Sequence, residues 1–404
     1  MIPFNKPFLT GKEAHYIYQA VYSGKLSGNG VYTKKCQHFF EEHYGFKKTL
    51  MTTSCTDALE MAAILCDVKP GDEVIAPSYT FVSTVLAFVR QGAKIVFCDS
   101  CKDNPNIDAD KIEDLITDKT KVIVPVHYAG VACDMDKIMD IANRHHLLVV
   151  EDAAQAIDSY YKGRPLGSIG HLGCFSFHET KNIIAGEGGL LTINDDRFIR
   201  RAEIIWEKGT NRSEFFRGEV NKYGWVDTGS SFLPSELISA FLWAQIENLD
   251  MIQSRRKTIW EHYYRGLQSL AKNGYFQLPD IPEYATNNAH MFYIVCRSLE
   301  ERSSLIKELK ESNILSVFHY LSLHRSGFYT TNEVYRPNYY QSIEPIKQLG
   351  FDDVSNDEVQ VVGLNLPNCD RFADCLVRLP MYYELSDENV HYIISKIMGF
   401  YDKK

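Results

Sequence analysis

Four segments of the chain carry residues that can do chemistry together. In CFSFHETKN, Ser176 and Lys181 follow an apolar stretch. A lysine there is either a surface charge on a long apolar stem or a desolvated amine. Desolvation depresses the ammonium pKa, and the neutral amine condenses with aldehydes and ketones. In LLVVEDAAQAI, Asp152 directly follows an apolar run. Such a carboxylate either caps a following helix or faces a ligand at a strand end. TTSCTDALEMAAILC opens on hydroxyl side chains and runs into a helical pattern. The N–H groups of Cys55, Thr56 and Asp57 can then meet an anion, or the hydroxyls simply cap the helix. In SYTFVST, Phe81 is either core or a platform for a planar ring.

These groups need elements that bring them to one place. EVIAP, KIVFCD, Lys121 to Val126 and Leu147 to Glu151 read as strands, apolar on both faces. Between them, TFVSTVLAFVRQGA (ended by Gly92) and Met135 to Arg144 read as helices. That alternation predicts an α/β fold with a parallel sheet covered by helices. Right-handed crossovers gather the strand C-termini on one edge, where ligands bind. After Gly173, CFSF and GLLTIN read as strands flanking a loop with Lys181 and Gly186-Glu187-Gly188-Gly189. Ser235 to Arg256 reads as a long helix, continued by Thr258 to Leu270. The expected division is a large domain over residues 1–250 and a smaller α+β domain over 251–404. Arg325 to Arg371 is irregular, polar and rich in aromatics, as in an insertion or a mobile flap.

A chain of 404 residues exceeds what one hydrophobic core serves, which also points to two domains. The net charge of −9 and the lack of a basic run argue against a nucleic-acid partner. No basic flank precedes an apolar stretch at the N-terminus, and no apolar run could span a bilayer, so a cytoplasmic protein is expected. The ten cysteines are irregularly spaced. Cys98 and Cys101 read as reduced thiols at a strand end, and His145 and His146 as surface residues near a helix end, so no metal site is expected.

A phosphate cradle, an acid for a pyridinium nitrogen, an amine for an aldehyde and a ring to stack on are the needs of pyridoxal phosphate. The chain also resembles the DegT/DnrJ/StrS sugar aminotransferases. The resemblance rests on TSCTDALEMAA, PSYTFVSTVLAF, VIVPVHYAGVACDMD, VVEDAAQAIDSYYKGRPLGSIG, CFSFHETKN and GEGGLLT. It spans Ile2 to Leu270 and resumes in SVFHYLSLH and VRLPMYYELS. It implies the type I fold of pyridoxal-phosphate-dependent transferases. By resemblance, Lys181 holds the cofactor covalently and Asp152 pairs with its pyridine nitrogen. Gln155 lies by the ring oxygen, Phe81 stacks on the ring and His178 lines the pocket. Ser176 and the N–H groups near Cys55, Thr56 and Asp57 bind the phosphate.

Within the family, KGTNRSEFFRGEVNKYGWVDTGSSFL, from Lys208, is most similar to the dTDP-4-keto-6-deoxyglucose 4-aminotransferases. This implies glutamate and a dTDP-linked keto sugar as substrates, and a role in surface polysaccharide (O-antigen) synthesis. It also implies a homodimer with shared active sites, in which the segment at Gly229 reaches the partner's cofactor. Many family members carry Gly-aromatic-Asn-aromatic-Arg there. This chain has Gly229-Ser230-Ser231-Phe232-Leu233, with Ser231 at the phosphate-binding Asn position. A 3-keto sugar nucleotide is the alternative acceptor. Related sugar dehydratases carry His where Lys181 stands. A nicotinamide-dependent sugar oxidoreductase would need G-x-G-x-x-G after a strand, which neither GNG at Gly28 nor GHLG at Gly170 supplies.

Overall fold

The computed structural model describes residues 1–338, 340 and 364–403. Seven strands form its central sheet: β1 (Lys48–Thr52), β2 (Glu73–Pro77), β3 (Lys94–Cys98), β4 (Thr120–Ile123), β5 (Leu148–Asp152), β8 (Leu172–Ser176) and β9 (Gly189–Ile193). The two-residue strands β6 (Tyr160–Tyr161) and β7 (Arg164–Pro165) make a separate hairpin, and β10 (Phe292–Val295) pairs antiparallel with β11 (Leu376–Leu379). The sheet order is β1-β9-β8-β5-β4-β2-β3. All its pairs are parallel except those of β9, which runs antiparallel to both β1 and β8.

The expected α/β architecture is present, and the burial pattern explains it. Side chains alternate between faces along a strand. Val74, Ala76, Ile95 and Phe97 enter one core, while Ile75, Val96 and Cys98 enter another across the sheet. Both faces are therefore dry and covered by helices, which accounts for the unbroken apolar runs in these strands. A third core, around Ile259, Tyr263, Phe292, Val377 and Ile393, packs the helices Leu249–Lys272 and Asp387–Tyr401 against one face of the β10–β11 pair.

Three elements differ from the sequence reading. The KVIVPV strand stops at Ile123, because Pro125 has no N–H to continue the ladder. The helix read from TFVSTVLAFVRQGA covers only Ser83–Val89. The run from Ser235 to Leu270 is two helices, Glu236–Ile246 and Leu249–Lys272, separated where Asn248 leaves helical geometry at φ −118°. Of the Arg325 to Arg371 segment, residues 339 and 341–363 lie outside the described residues; its ends form short helices, Gly327–Thr331 and the start of Pro367–Cys375. No helix among the described residues is long and apolar enough to cross a membrane.

Candidate active site

A cavity of about 370 Å³ opens at the C-terminal edge of the sheet. Strand parity explains what reaches it. Val150 and Cys174 point into the core beneath the helix Cys55–Leu65, and Asp152 and Ser176, two residues further along, share their face. Asp152 pairs in register with Cys174 across β5 and β8. Eight residues singled out in the sequence line the cavity: Cys55, Thr56, Phe81, Asp152, Gln155, Ser176, His178 and Lys181.

The strand end bearing Asp152 is tightly fixed. Its neighbour Glu151, fully buried, accepts hydrogen bonds from the N–H groups of Gly167 (2.8 Å), Ile169 (2.7 Å) and Gly170 (2.5 Å), and meets His127 Nε2 at 2.9 Å. Asp152 Oδ2 accepts from the Thr84 hydroxyl at 2.7 Å, and Oδ1 from the Ala154 N–H at 3.1 Å. Burial raises the Asp152 pKa, partly countered by these two donors and by Lys181.

Lys181 sits in the loop between β8 and β9, its backbone N–H bound to the His178 carbonyl at 2.9 Å. Burial lowers its ammonium pKa, and the positive charge of Arg378 lowers it further, while Cys55 and Asp152 act the other way. Lys181 is thus part-buried within the cavity rather than a surface charge. His178 Nδ1 meets Thr180 Oγ1 at 2.9 Å, and its backbone N–H donates to Ser176 Oγ at 3.3 Å.

The anion cradle forms where β9 meets the start of the Cys55–Leu65 helix. A Cβ on Gly189 would lie 2.4 Å from the Ser54 carbonyl oxygen and 2.5 Å from the Cys55 nitrogen, so only glycine permits this approach. The N–H groups of Cys55 and Thr56 donate to no acceptor among the described residues. The expectation for Asp57 needs correcting. Its N–H is taken by Ser54 Oγ at 3.1 Å, its carboxylate is bound by the Thr53 hydroxyl, and it does not line the cavity. Ser231 is not in the cavity either. It is exposed on the surface, bridged through its backbone to Glu207.

Phe81 lines the cavity with more than half of its surface exposed, its ring 6.0 Å from that of Tyr320. Gln155 accepts from the Ala129 N–H at 2.6 Å and donates to the Tyr320 hydroxyl at 3.0 Å. The sequence reading assigned no role to His290, His319, Tyr320 or Arg378, which also line the cavity. The last three fall in SVFHYLSLH and VRLPMYYELS, so the segments were visible but the side chains' destination was not. A second, apolar cavity of about 580 Å³ lies between the Ser83–Val89 helix and Phe318 to Tyr335; it shares Phe81 and Tyr320 but contains neither Lys181 nor Asp152.

This donor set fits pyridoxal phosphate. Unpaired N–H groups and hydroxyls suit a phosphate, a buried carboxylate suits a protonated ring nitrogen, and a desolvated amine suits an aldehyde. Comparison with known proteins agrees. Residues 8–349 match the profile of the DegT/DnrJ/EryC1/StrS aminotransferase family. The spore coat polysaccharide biosynthesis protein SpsC of Bacillus subtilis is 31% identical over 98% of this chain and 96% of its own. A GDP-perosamine synthase of Escherichia coli O157:H7 is 30% identical over 100% and 99%. A putative sugar aminotransferase from Streptococcus pneumoniae, solved in its PMP form, superposes with a TM-score of 0.85 at 27% identity, covering 100% of both chains. With that fold, that cavity and full-length relatives of this kind, the chain belongs to the DegT/DnrJ/EryC1/StrS aminotransferase family and is a pyridoxal-phosphate-dependent sugar-nucleotide aminotransferase.

Proposed function

We propose that the protein moves an amino group from glutamate to C4 of dTDP-4-dehydro-6-deoxy-D-glucose, yielding a dTDP-4-amino-4,6-dideoxy-hexose for surface polysaccharide synthesis in the cytoplasm. The observation that carries this is the stretch from Lys208 to Leu233, most similar to the dTDP-4-keto-6-deoxyglucose 4-aminotransferases. Two relatives fit the setting by name: a spore coat polysaccharide biosynthesis protein, and a GDP-perosamine synthase, whose named product is a nucleotide-linked sugar.

Bound pyridoxal phosphate supplies an electron sink that lets a C–H bond beside nitrogen ionise. The chain's own residues do the rest. Cys55, Thr56 and Ser176 would hold the phosphate, Phe81 would cover the ring, and Asp152 would keep the ring nitrogen protonated. Lys181 would attach the cofactor and, when free, would hold and move a proton at its Nζ, a task that its lowered pKa favours. The polypeptide divides near residue 250, a reading supported by the separate core around Ile259 and Tyr263.

Incubation with glutamate and the keto sugar nucleotide, followed by NMR of the product, should place the new nitrogen on C4. Amination confined to the 3-keto isomer would overturn the C4 assignment and leave the enzyme class standing.

The active unit in this reading is a homodimer with shared sites, Ser231 serving the partner's cofactor. Its exposure, and that of Phe216, Tyr223 and Trp225 earlier in the same Lys208 to Leu233 stretch, supports this. Mixing inactive Lys181→Ala and Ser231→Arg chains should then restore about a quarter of wild-type activity on random exchange, because half the dimers hold one intact site. If mixing restores none, Ser231 has no role in trans.

A further inference from the structure

His290 reaches the cavity from the turn that leads into β10, and that turn is tightly built. Ala289 is held in the left-handed region at φ 52°, a strained conformation for a residue with a side chain. The Asn288 side chain accepts from the His290 N–H at 3.0 Å and donates to the carbonyls of Gln155 and Ile157, both at 2.8 Å. The buried Arg256 donates to the carbonyls of Ala289 at 3.1 Å and His290 at 2.6 Å. A chain of side-chain hydrogen bonds also fixes the tautomer of the ring. Gln253 Nε2 donates to the Asp158 carboxylate at 3.2 Å, so its Oε1 accepts from Asn182 Nδ2 at 2.7 Å. The same Nδ2 donates to the Asn288 carbonyl at 2.9 Å, which leaves Asn182 Oδ1 to accept from His290 Nδ1 at 2.8 Å. The proton is therefore on Nδ1, and Nε2 carries a lone pair. Nε2 has no hydrogen-bond partner among the described residues, yet it is not shut from solvent, and the residue lines the cavity. Burial pushes the ring's pKa well below the usual histidine value, and the charges of Lys181, Arg256 and Arg378 push it further, so the ring stays neutral.

We propose that His290 Nε2 accepts a hydrogen bond from the hydroxyl on the sugar carbon next to the reacting ketone. The assignment rests on the aminotransferase reading and adds to it a group that recognises the acceptor sugar. Chemistry selects this partner. A lone pair on a neutral ring binds O–H or N–H and gains nothing from a carboxylate or phosphate oxygen. The carboxylate of Asp152 already takes the Thr84 hydroxyl and the Ala154 N–H, and Gln155 Oε1 takes the Ala129 N–H. Lys181, Arg378 and the N–H groups of Cys55 and Thr56 are positive or donating, so a sugar hydroxyl finds its acceptor at His290. Position agrees with this. Asn182, the residue after Lys181, holds the ring, and the charge of Lys181 acts on it. The reacting carbon must come to the Lys181 end of the cavity, which brings the neighbouring carbon's hydroxyl there too.

The test compares cofactor-loaded wild type with His290→Phe and His290→Gln. Two acceptors are used: dTDP-4-dehydro-6-deoxy-D-glucose and its 3-deoxy analogue, which lacks the hydroxyl beside the ketone. Wild type should prefer the hydroxylated sugar by about 30-fold or more in kcat/KM. His290→Phe keeps a flat ring but no acceptor. It should use the two sugars within about threefold of each other, through lost activity on the hydroxylated one. By calorimetry it should bind the unreactive dTDP-6-deoxy-D-glucose about tenfold more weakly than wild type does, while dTDP alone binds all three proteins equally. Conversion of the bound cofactor by glutamate and the visible cofactor band should not move. His290→Gln, which can place an amide oxygen near the Nε2 position, should fall between, and carries the test if the Phe variant does not fold. A wild type indifferent to the hydroxyl, equal losses on both sugars, or a loss confined to the glutamate step would overturn the assignment alone. A loaded wild type that aminates neither sugar would overturn the proposed function and this assignment with it.

Discussion

Replacing Lys181 with alanine is expected to reduce turnover by about 10³-fold or more, since it removes both the cofactor's covalent attachment and the group that carries the proton. The purified wild type should be yellow, and borohydride should fix the cofactor on the peptide containing Lys181. Neither signature should survive in the variant. The causes are local. Burial depresses the amine's pKa and the charge of Arg378 lowers it further, so the free base forms at lower pH than for an exposed lysine, while Cys55 and Asp152 limit the shift. Wild-type turnover in Lys181→Ala, or a wild-type protein that stays colourless with added pyridoxal phosphate, would remove Lys181 from the centre of the mechanism.

Asp152→Asn should lower turnover by about 10²- to 10³-fold, as preorganised electrostatic partners do when removed, with a much smaller effect on cofactor affinity. The amide keeps the shape and one acceptor for Thr84 or Ala154, but no longer holds a proton on the ring nitrogen. Stability gives a second readout. Without cofactor, burial raises the Asp152 pKa, so the folded chain binds more protons than the unfolded one as pH rises from the ordinary carboxylate pKa to the raised value. Stability therefore falls across that window, and the Asn variant should lack this component of the slope. Thermal melting of both cofactor-free proteins against pH measures it. Normal turnover in the variant would leave Asp152 as a structural carboxylate bound by Thr84 and Ala154.

Much of the catalytic edge was legible in the sequence because it is built locally. Asp152 and Ser176 close apolar strands, and Cys55 and Thr56 open a helix; each position is fixed by its own element, and dry strand faces leave a strong signal. What local pattern cannot show is where a distant side chain lands. Arg378 lies far along the chain from Lys181, and it meets the cavity only because the β10–β11 pair packs one face against the large sheet. Asp57 sits in the right turn, yet Ser54 takes its N–H, a competition between cap and ligand that residue types alone do not decide. The break at Asn248 was similarly hidden, because no Gly or Pro punctuates a pattern that stays helical on both sides.

The antiparallel course of β9 has a consequence for the timing of assembly. Gly189 stands opposite Thr52 in the β1–β9 ladder, beside the turn that opens the anion cradle, and β9 also pairs with β8, so the Lys181 loop is a hairpin bend held at both ends. A chain emerging from the ribosome makes the cradle early and the lysine much later. The two meet only when β9 inserts between the older strands β1 and β8. The Lys181 loop is therefore set only when β9 takes its place in the central sheet, and β11, which brings Arg378, is made later still.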